Sequence, residues 1–276
     1  MNLELIYDLL PSCIVFILGA AVGSFLNVVV YRLPAGLSLL HPPSRCPSCK
    51  TTLKAYDNVP VFGWLWLKGR CRSCRLPIAA RYPIVEFSCA CLFLFVYALF
   101  GISWETLGYW LFVSWLLALA LIDLDTMTLP NSLTASGLVL GWLFQGGTSY
   151  LAEPTLVRLV SSIAAAVGAS IFALWFFDLI GIAGSCAFGK AAMGGGDSKL
   201  AAMMAAWLGW PGLLLATFIA AAMGAAIGSG AMALGVLGPK QHIPFGPYLA
   251  LGAVLALFYG KALIAAYLSV FFPVGL

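Results

Sequence analysis

Charged side chains are scarce in this chain of 276 residues. They make up 9% of the sequence, whereas 62% of the residues are hydrophobic. A soluble globular protein carries about 25% charged and about 45–50% apolar residues. The composition therefore excludes a soluble globular protein and indicates a polytopic membrane protein.

Several familiar signals are also absent. The chain has neither a GxxxxGK[ST] phosphate loop nor a GxGxxG-bearing βαβ unit, so any cofactor site is not a Rossmann site. No basic residue precedes the first apolar run, which instead follows Glu4 and Asp8. We therefore expect no cleaved signal peptide and predict that the N-terminus lies outside the cell membrane.

The apolar segments predict an all-α fold with about eight transmembrane helices. About 20 residues are needed to cross a bilayer, and several of the segments are shorter than this. Around Trp210-Pro211-Gly212, one tilted helix plus a re-entrant piece could replace two short spans. The predicted segments are 12–31, 84–101, 107–122, 132–147, 157–181, 199–210, 211–236 and 247–269.

Basic residues are concentrated in one loop, between the first two predicted helices. Residues 32–82 contain nine of the fourteen basic residues and a single acid, Asp57. By the positive-inside rule this loop is cytoplasmic. Counting spans from there places the loops 123–131, 182–198 and 237–246 in the cytoplasm, and both termini outside. The nine are Arg32, Arg45, Lys50, Lys54, Lys68, Arg70, Arg72, Arg75 and Arg81.

The same loop contains two Cys-x-x-Cys pairs, Cys46 with Cys49 and Cys71 with Cys74, separated by 21 residues. This spacing is typical of a structural Zn²⁺ site with four sulfur ligands. Disulfides or free thiols are the alternatives, and a reducing cytosol favours zinc. The pattern thus predicts a small cytoplasmic zinc-binding domain whose metal contributes to its folding.

Two aspartates lie where apolar segments end, on the same predicted face of the membrane. Asp123 closes one segment, and Asp197 follows Gly194, Gly195 and Gly196. Carboxylates beside hydrocarbon are costly, and two that share one proton are the working parts of an aspartic hydrolase. The glycines permit close backbone approach, so a substrate strand could lie against this turn.

Other interpretations of these acids stay open at this point. Asp123 and Asp125 could mark a helix end at the interface. An ion- or proton-coupled transporter could use Asp123, Asp197 and Glu86 as relays, although it would place acids at mid-membrane depth and show an internal repeat. A non-catalytic adaptor would use the cysteine loop and leave the aspartates without a role.

Six motifs, taken in order along the chain, resemble the type IV prepilin peptidases. The resemblance runs from about residue 20 to 250. It rests on GSFLNVVVYRLP at 23–34, the double Cys-x-x-Cys, RYPIVE at 81–86, IDLD at 122–125 with LP at 129–130, GGGDSKL at 194–200 and IPFGPY at 243–248.

The resemblance implies a bifunctional enzyme of the bacterial inner membrane. Such an enzyme cleaves the leader of type IV prepilins and type II secretion pseudopilins on the cytoplasmic side. It then methylates the new N-terminal residue from S-adenosylmethionine. Its partners would be these substrates and membrane lipid, and we expect no nucleic acid. Asp123 and Asp197 would be the catalytic aspartates, supported by Asp125, Gly194 and Gly196.

The resemblance also implies roles for three parts of the chain: 1–31 as the first transmembrane helix, 32–82 as the zinc-binding and methyltransferase domain, and 83–276 as the aspartic protease domain. Gly69 matches a glycine that the family needs for methyl transfer. Further candidates for binding the methyl donor are Glu86, Tyr82, Asp57 and Asn58, because a sulfonium with an amino-acid end requires a carboxylate and polar contacts.

Overall fold

Eight α-helices account for most of the chain in the computed structural model, which describes residues 3–189, 193–236, 238 and 243–272. The predicted loops 182–198 and 237–246, like both chain ends, extend partly outside these residues. No β-strand occurs in the described ranges, so the all-α prediction is confirmed. The helices are α1 (Leu3–Arg32), α2 (Phe62–Trp66), α3 (Arg81–Phe100), α4 (Trp104–Thr126), α5 (Asn131–Ala152), α6 (Leu156–Phe188), α7 (Gly195–Ala233) and α8 (Gly246–Phe271), with a 3-10 turn at Ala55–Asp57.

Six of the described helices are long and apolar enough to cross a membrane: α1, α3, α4, α6, α7 and α8. The fifth helix, α5, is of similar length but carries Asn131, Thr134 and Gln145. These polar side chains lower its hydropathy, and each bonds within the protein. The prediction of a polytopic membrane protein is confirmed.

A break at Gly209 divides α7 into two arms. Gly209 has φ +70° and ψ 174°, a conformation outside the helical region that glycine adopts readily, and Pro211 follows it without an N–H to donate. The first arm runs beside α5 in the same direction, because Lys199 bonds Asn131 near their starts and Trp207 bonds Gln145 further along.

The second arm returns along α8 in the opposite direction. A Cβ added at Gly252 would meet the backbone of Ala216 and Ala220, whereas Gly224 lies against Tyr248, nearer the start of α8. The two arms correspond to the predicted segments 199–210 and 211–236. Each of the eight predicted segments therefore has a helical counterpart.

By its internal contacts the chain divides into two units, residues 1–118 and 119–276, with the boundary inside α4. In the first unit α1 packs closely on α3. A Cβ at Gly19 would lie 2.7 Å from Ala90 Cα, and one at Gly23 would lie 2.7 Å from Glu86 Cα. Small residues permit this close backbone approach.

The core of the second unit is the first arm of α7. Every residue from 200 to 207 is buried, ending with Trp207, which stacks on Phe144 of α5 at 5.0 Å between ring centroids. Its indole N–H donates to the carbonyl of Gly137 at 2.8 Å. Asp197 lies in the first turn of this buried arm.

Candidate active site

Asp123 lies in the last turns of α4 and is 5% exposed. Its Oδ2 accepts a hydrogen bond of 2.9 Å from the backbone N–H of Gly246, the first residue of α8. The N-terminus of a helix carries partial positive charge and free N–H groups, which together stabilise a carboxylate placed there. The chain thus supplies a positive helix end for this buried acid.

Gly246 leaves no room for a side chain. A Cβ at this position would lie 2.6 Å from Asp123 Oδ2 and 3.0 Å from its Cγ. This glycine lies in the motif IPFGPY, and the sequence alone predicted no role for it. The pair Gly246-Pro247 was the signal that could have located the helix start beside the site, since proline is common in the first turn of a helix.

Asp197 stands in the first turn of α7 and is 9% exposed. Its backbone N–H bonds the carbonyl of Gly194 at 3.1 Å, and its carboxylate lies within electrostatic range of Asp123. The fold thus brings the two predicted aspartates into one site. A Cβ at Gly196 would lie 3.1 Å from Leu129 Cβ, so this glycine permits close approach of the segment after α4.

Asp125 lies two residues beyond Asp123 on α4, and its side chain is exposed. Residues two apart on a helix do not share a face. The supporting role given to Asp125 in the sequence analysis stays a prediction.

Two polar contacts hold the start of α7 between α5 and α6. Ser198 Oγ donates to Asp178 Oδ1 of α6 at 2.6 Å, and Lys199 Nζ donates to Asn131 Oδ1 of α5 at 2.7 Å. Ser198 is 4% exposed and directly follows Asp197. Sequence reasoning missed the roles of Ser198 and Asp178, because their pairing depends on how α6 packs against α7.

The four predicted cysteines form a cluster in the first unit. Their sulfurs all lie within 4.8 Å of one another, with Cys46 Sγ 3.8 Å from Cys74 Sγ and Cys49 Sγ 3.9 Å from Cys71 Sγ. A tetrahedral zinc with about 2.3 Å Zn–S bonds separates its sulfurs by about 3.8 Å. These distances fit a metal centre and are much longer than a disulfide bond.

The two Cys-x-x-Cys turns have matching backbones. In each, the N–H of the residue four after the first cysteine bonds back to that cysteine's carbonyl, Lys50 to Cys46 and Arg75 to Cys71, both at 3.0 Å. Lys50 and Arg75 also have similar positive φ values, 59° and 61°. The domain therefore brings two knuckles of equivalent backbone conformation to one four-sulfur cluster.

Hydrogen bonds prepare some of these thiols to bind a cation. The side chain of Thr51, and then its backbone, lower the pKa of Cys49 to about 6. Backbone N–H groups at Cys74 and Ser73 lower the pKa of Cys71. The thiolate is the metal-binding form of cysteine, so the shifts at Cys49 and Cys71 favour metal binding. Burial and hydrogen bonds with the other three cysteines raise the pKa of Cys74 to about 11.

The structure places two of the predicted methyl-donor residues in the scaffold of the cysteine domain. The single Nε–H of Arg72 donates a bifurcated hydrogen bond to Asp57, at 3.0 Å to Oδ1 and 2.9 Å to Oδ2, and Arg72 Nη2 donates to Oδ1 as well. These hydrogen bonds and the charge of Arg72 hold the Asp57 pKa below its usual value. Gly69 has φ +67°, and a Cβ there would lie 2.7 Å from the Trp64 ring.

The other three candidates lie where the cysteine domain meets α1 and α3. Glu86 is 8% exposed, and its Oε2 accepts from the Val61 backbone N–H at 2.6 Å. The carbonyl of Tyr82 accepts from Asn27 Nδ2 at 3.2 Å. Asn58 is exposed and lines a cavity beside α1.

Comparison with known proteins finds two family models that match the chain. Residues 17–100 match the family model described as Bacterial Peptidase A24 N-terminal domain, and residues 110–229 match the one described as Type IV leader peptidase family. No solved structure matches the chain.

Relatives with one shared name match over most of the chain. The chain is 37% identical over 297 residues to a prepilin leader peptidase/N-methyltransferase of Aeromonas hydrophila, covering 98% of each sequence. It is 36% identical to the protein of that name from Stutzerimonas stutzeri, covering 92% of each. The corresponding protein of Burkholderia pseudomallei (strain 1026b) is 38% identical, over 88% of this chain and 84% of the relative. The chain therefore belongs to the type IV leader peptidase family.

Proposed function

We propose that this protein cleaves the leader peptide of prepilins and pseudopilins with Asp123 and Asp197, and then methylates the new N-terminus. The observation that carries the proposal is the pair of buried carboxylates in one site, one of them held by a helix N-terminus. The relatives named prepilin leader peptidase/N-methyltransferase support the choice of substrate and of both reactions.

Cleavage uses a water molecule held between the two carboxyl groups. Asp123 is the base, because the N–H of Gly246 at the start of α8 stabilises its negative charge. Asp197 is the acid, since two adjacent carboxylates share one proton rather than both ionise. The base takes a proton from the water as its oxygen attacks the scissile carbonyl, and the acid protonates the leaving amine. No covalent intermediate is required.

Methyl transfer takes its methyl group from S-adenosylmethionine. The neutral amine of the new N-terminus attacks the methyl carbon and forms a C–N bond. The C–S bond breaks, its electron pair stays on sulfur as a thioether, and the amine proton passes to water. We assign methyl transfer to residues 32–82 and leader cleavage to residues 83–276. We also assign the first transmembrane helix to residues 1–31.

The four-cysteine cluster would hold a structural zinc ion. The ligands are Cys46, Cys49, Cys71 and Cys74, whose sulfur spacing fits tetrahedral coordination. Four thiolate ligands would complete the coordination of the ion and leave no open position for substrate. Such an ion would hold the two knuckles together and would take no part in cleavage.

The protein lies in the bacterial inner membrane with its catalytic face toward the cytoplasm and both termini outside. The excess of basic residues in 32–82 supports this orientation. The start of α8 lies beside the end of α4, which supports the placement of both of these helix ends on the same face of the membrane. No comparison supports the transporter alternative.

The decisive experiment compares the wild-type protein, Asp123→Asn and Asp197→Asn in detergent, using a purified prepilin. Each substitution is expected to abolish cleavage, because the amide can neither take up nor donate the carboxyl proton. Glu153→Gln is the matched control, since Glu153 forms an exposed ion pair with Arg158 and such pairs contribute little. Cleavage by either aspartate variant at near wild-type rate would show that the paired-aspartate mechanism is wrong.

A further inference from the structure

A cavity of about 420 Å³ lies between the last turns of α1 and loops of the cysteine domain, within the first unit. Ligand sites in proteins typically enclose about 300–1,000 Å³. One wall carries Ser24, Phe25, Val28 and Arg32 of α1, and the facing wall contains residues 39–40 and 42–44, Asn58 and Pro60. The cavity is therefore large enough for a nucleoside-sized molecule.

We infer that this cavity binds the methyl donor, a sulfonium nucleoside with an amino-acid end, through Arg32, Asn58 and Phe25. This inference rests on the methyl transfer proposed above and adds a location and residues to it. Arg32 and Phe25 of α1 are new candidates for binding the methyl donor, since the candidates predicted from the sequence lie only in the loop and in α3.

Arg32 gives the cavity a positive charge. Its Nη1 donates to the Ser38 carbonyl at 3.0 Å and its Nη2 to the Pro42 carbonyl at 2.6 Å. Among the described residues no carboxylate pairs with Arg32, so neutral carbonyls hold the guanidinium while its charge is left uncompensated. An anionic group in the cavity would be attracted to it, and the carboxylate of the ligand's amino-acid end supplies one.

Asn58 and Phe25 provide contacts suited to the rest of such a ligand. The Asn58 side chain is exposed and offers both a donor and an acceptor, which is what the polar edge of a purine requires. Phe25 is 50% exposed. An aromatic face attracts a cation, so the Phe25 ring suits a sulfonium centre or a stacked base.

Glu86 is a positioning residue for this cavity. Its buried carboxylate accepts the Val61 N–H at 2.6 Å and a hydrogen bond from the side chain of Ser24. Ser24 belongs to the α1 wall, and Val61 directly follows Pro60 of the facing wall. Glu86 thus ties the two walls together without lining the cavity itself. Asp57, Gly69 and Tyr82 do not line it either.

The test measures binding of S-adenosylhomocysteine by calorimetry to the full-length protein in detergent, together with cleavage and methylation of a prepilin. Val28→Trp should fill the cavity and weaken binding and methylation about tenfold or more, because the ligand loses buried contact area. Cleavage should change less than about twofold, as Val28 has no part in the aspartate site. Ile17→Trp is the control, since Ile17 is 64% exposed on the same helix and outside the cavity.

Arg32→Gln and Asn58→Ala test the polar contacts independently of cavity filling. Both should weaken S-adenosylhomocysteine binding about tenfold while zinc content and cleavage stay at wild-type values. Arg32 also holds two loop carbonyls, so Asn58→Ala and Val28→Trp keep the test valid if Arg32→Gln misfolds. Glu86→Gln should weaken S-adenosylhomocysteine binding without changing the zinc content. Glu86→Asp keeps the carboxylate on a shorter side chain, so its affinity should lie between that of Glu86→Gln and that of the wild type.

The outcomes separate this inference from the proposed function. If the wild-type protein methylates prepilin and Val28→Trp and Asn58→Ala bind S-adenosylhomocysteine with wild-type affinity, the cavity is not the donor site and the inference is overturned. If Arg32→Gln loses only binding to vesicles of anionic lipid, the cavity is a headgroup site, which also overturns it. If the wild-type protein neither binds S-adenosylhomocysteine nor methylates, the methyltransferase half of the proposed function is itself wrong.

Discussion

The backbone N–H of Gly246 donates a hydrogen bond of 2.9 Å to Asp123 Oδ2, joining residues 123 positions apart in the chain. The contact sets the start of α8 against the end of α4. It also gives one of the two buried acids a fixed partner.

Gly246→Ala should reduce cleavage strongly. Its Cβ would lie 2.6 Å from Asp123 Oδ2, so the carboxylate or the start of α8 must move. We expect at least about a tenfold loss in kcat, equivalent to about 1.4 kcal/mol in the activation barrier. Gly230→Ala is the matched control, because no described atom outside its own helix backbone lies within 4 Å of a Cβ at Gly230. Equal activity in the two variants would show that the Gly246 contact does not matter for catalysis.

Ser198→Ala should slow cleavage through the position of Asp197. The substitution removes the 2.6 Å hydrogen bond to Asp178 that holds the start of α7. A hydrogen bond to a charged group is worth about 1.5–3 kcal/mol, so kcat should fall about tenfold or more if that energy positions the acid. KM should stay close to the wild-type value.

Rescue distinguishes positioning by Ser198 from a general loss of stability. Ser198→Thr keeps the hydroxyl and should retain most of the activity. Ser229→Ala is the control, because the Ser229 hydroxyl bonds the carbonyl of Ala226 on the same helix. Inactivity of the threonine variant, with normal thermal stability, would contradict the role given to the hydroxyl.

Elemental analysis should find about one zinc per chain, lost in Cys46→Ser, because three remaining thiolates bind the ion more weakly. Cys186→Ser should keep the metal, since Cys186 is exposed and outside the cluster. Cleavage of a prepilin by Cys46→Ser would be consistent with a purely structural zinc. A folded cysteine domain that contains no metal in the wild-type protein would contradict the zinc assignment.

Gly69→Ala should destabilise the cysteine domain and impair methylation while cleavage continues. At φ +67° any side chain is strained, and here the Cβ would also lie 2.7 Å from the Trp64 ring. Gly36→Ala separates backbone strain from the clash with Trp64, because Gly36 has φ +66° and, among the described residues beyond its chain neighbours, no atom lies within 4 Å of its Cβ position. Limited proteolysis should show faster cutting near 69 in Gly69→Ala than in wild type, and little change in Gly36→Ala.

Composition and local pattern were enough to predict the class of fold. The apolar segments determine helices that must satisfy their backbone within the bilayer, so the all-α membrane fold and its eight segments follow from sequence alone. The spacing of Cys46, Cys49, Cys71 and Cys74 likewise predicted the cluster, because each knuckle is a local turn. The apolar run that ends at Asp123 and the glycines before Asp197 marked the two acids that the fold brings into one site.

Only the tertiary structure decided how those acids are held. The partner of Asp123 comes from α8, the support for Asp197 comes from Asp178 on α6 through Ser198, and the return of α7 after Gly209 depends on its packing against α5 and α8. These contacts join residues far apart in the chain. Hydropathy and motif spacing do not specify which distant residues lie close together. The sequence by itself determined which groups can react and where the chain is helical, because both depend on local chemistry. Long-range packing determined which backbone donor and which side chains contact or support the two aspartates.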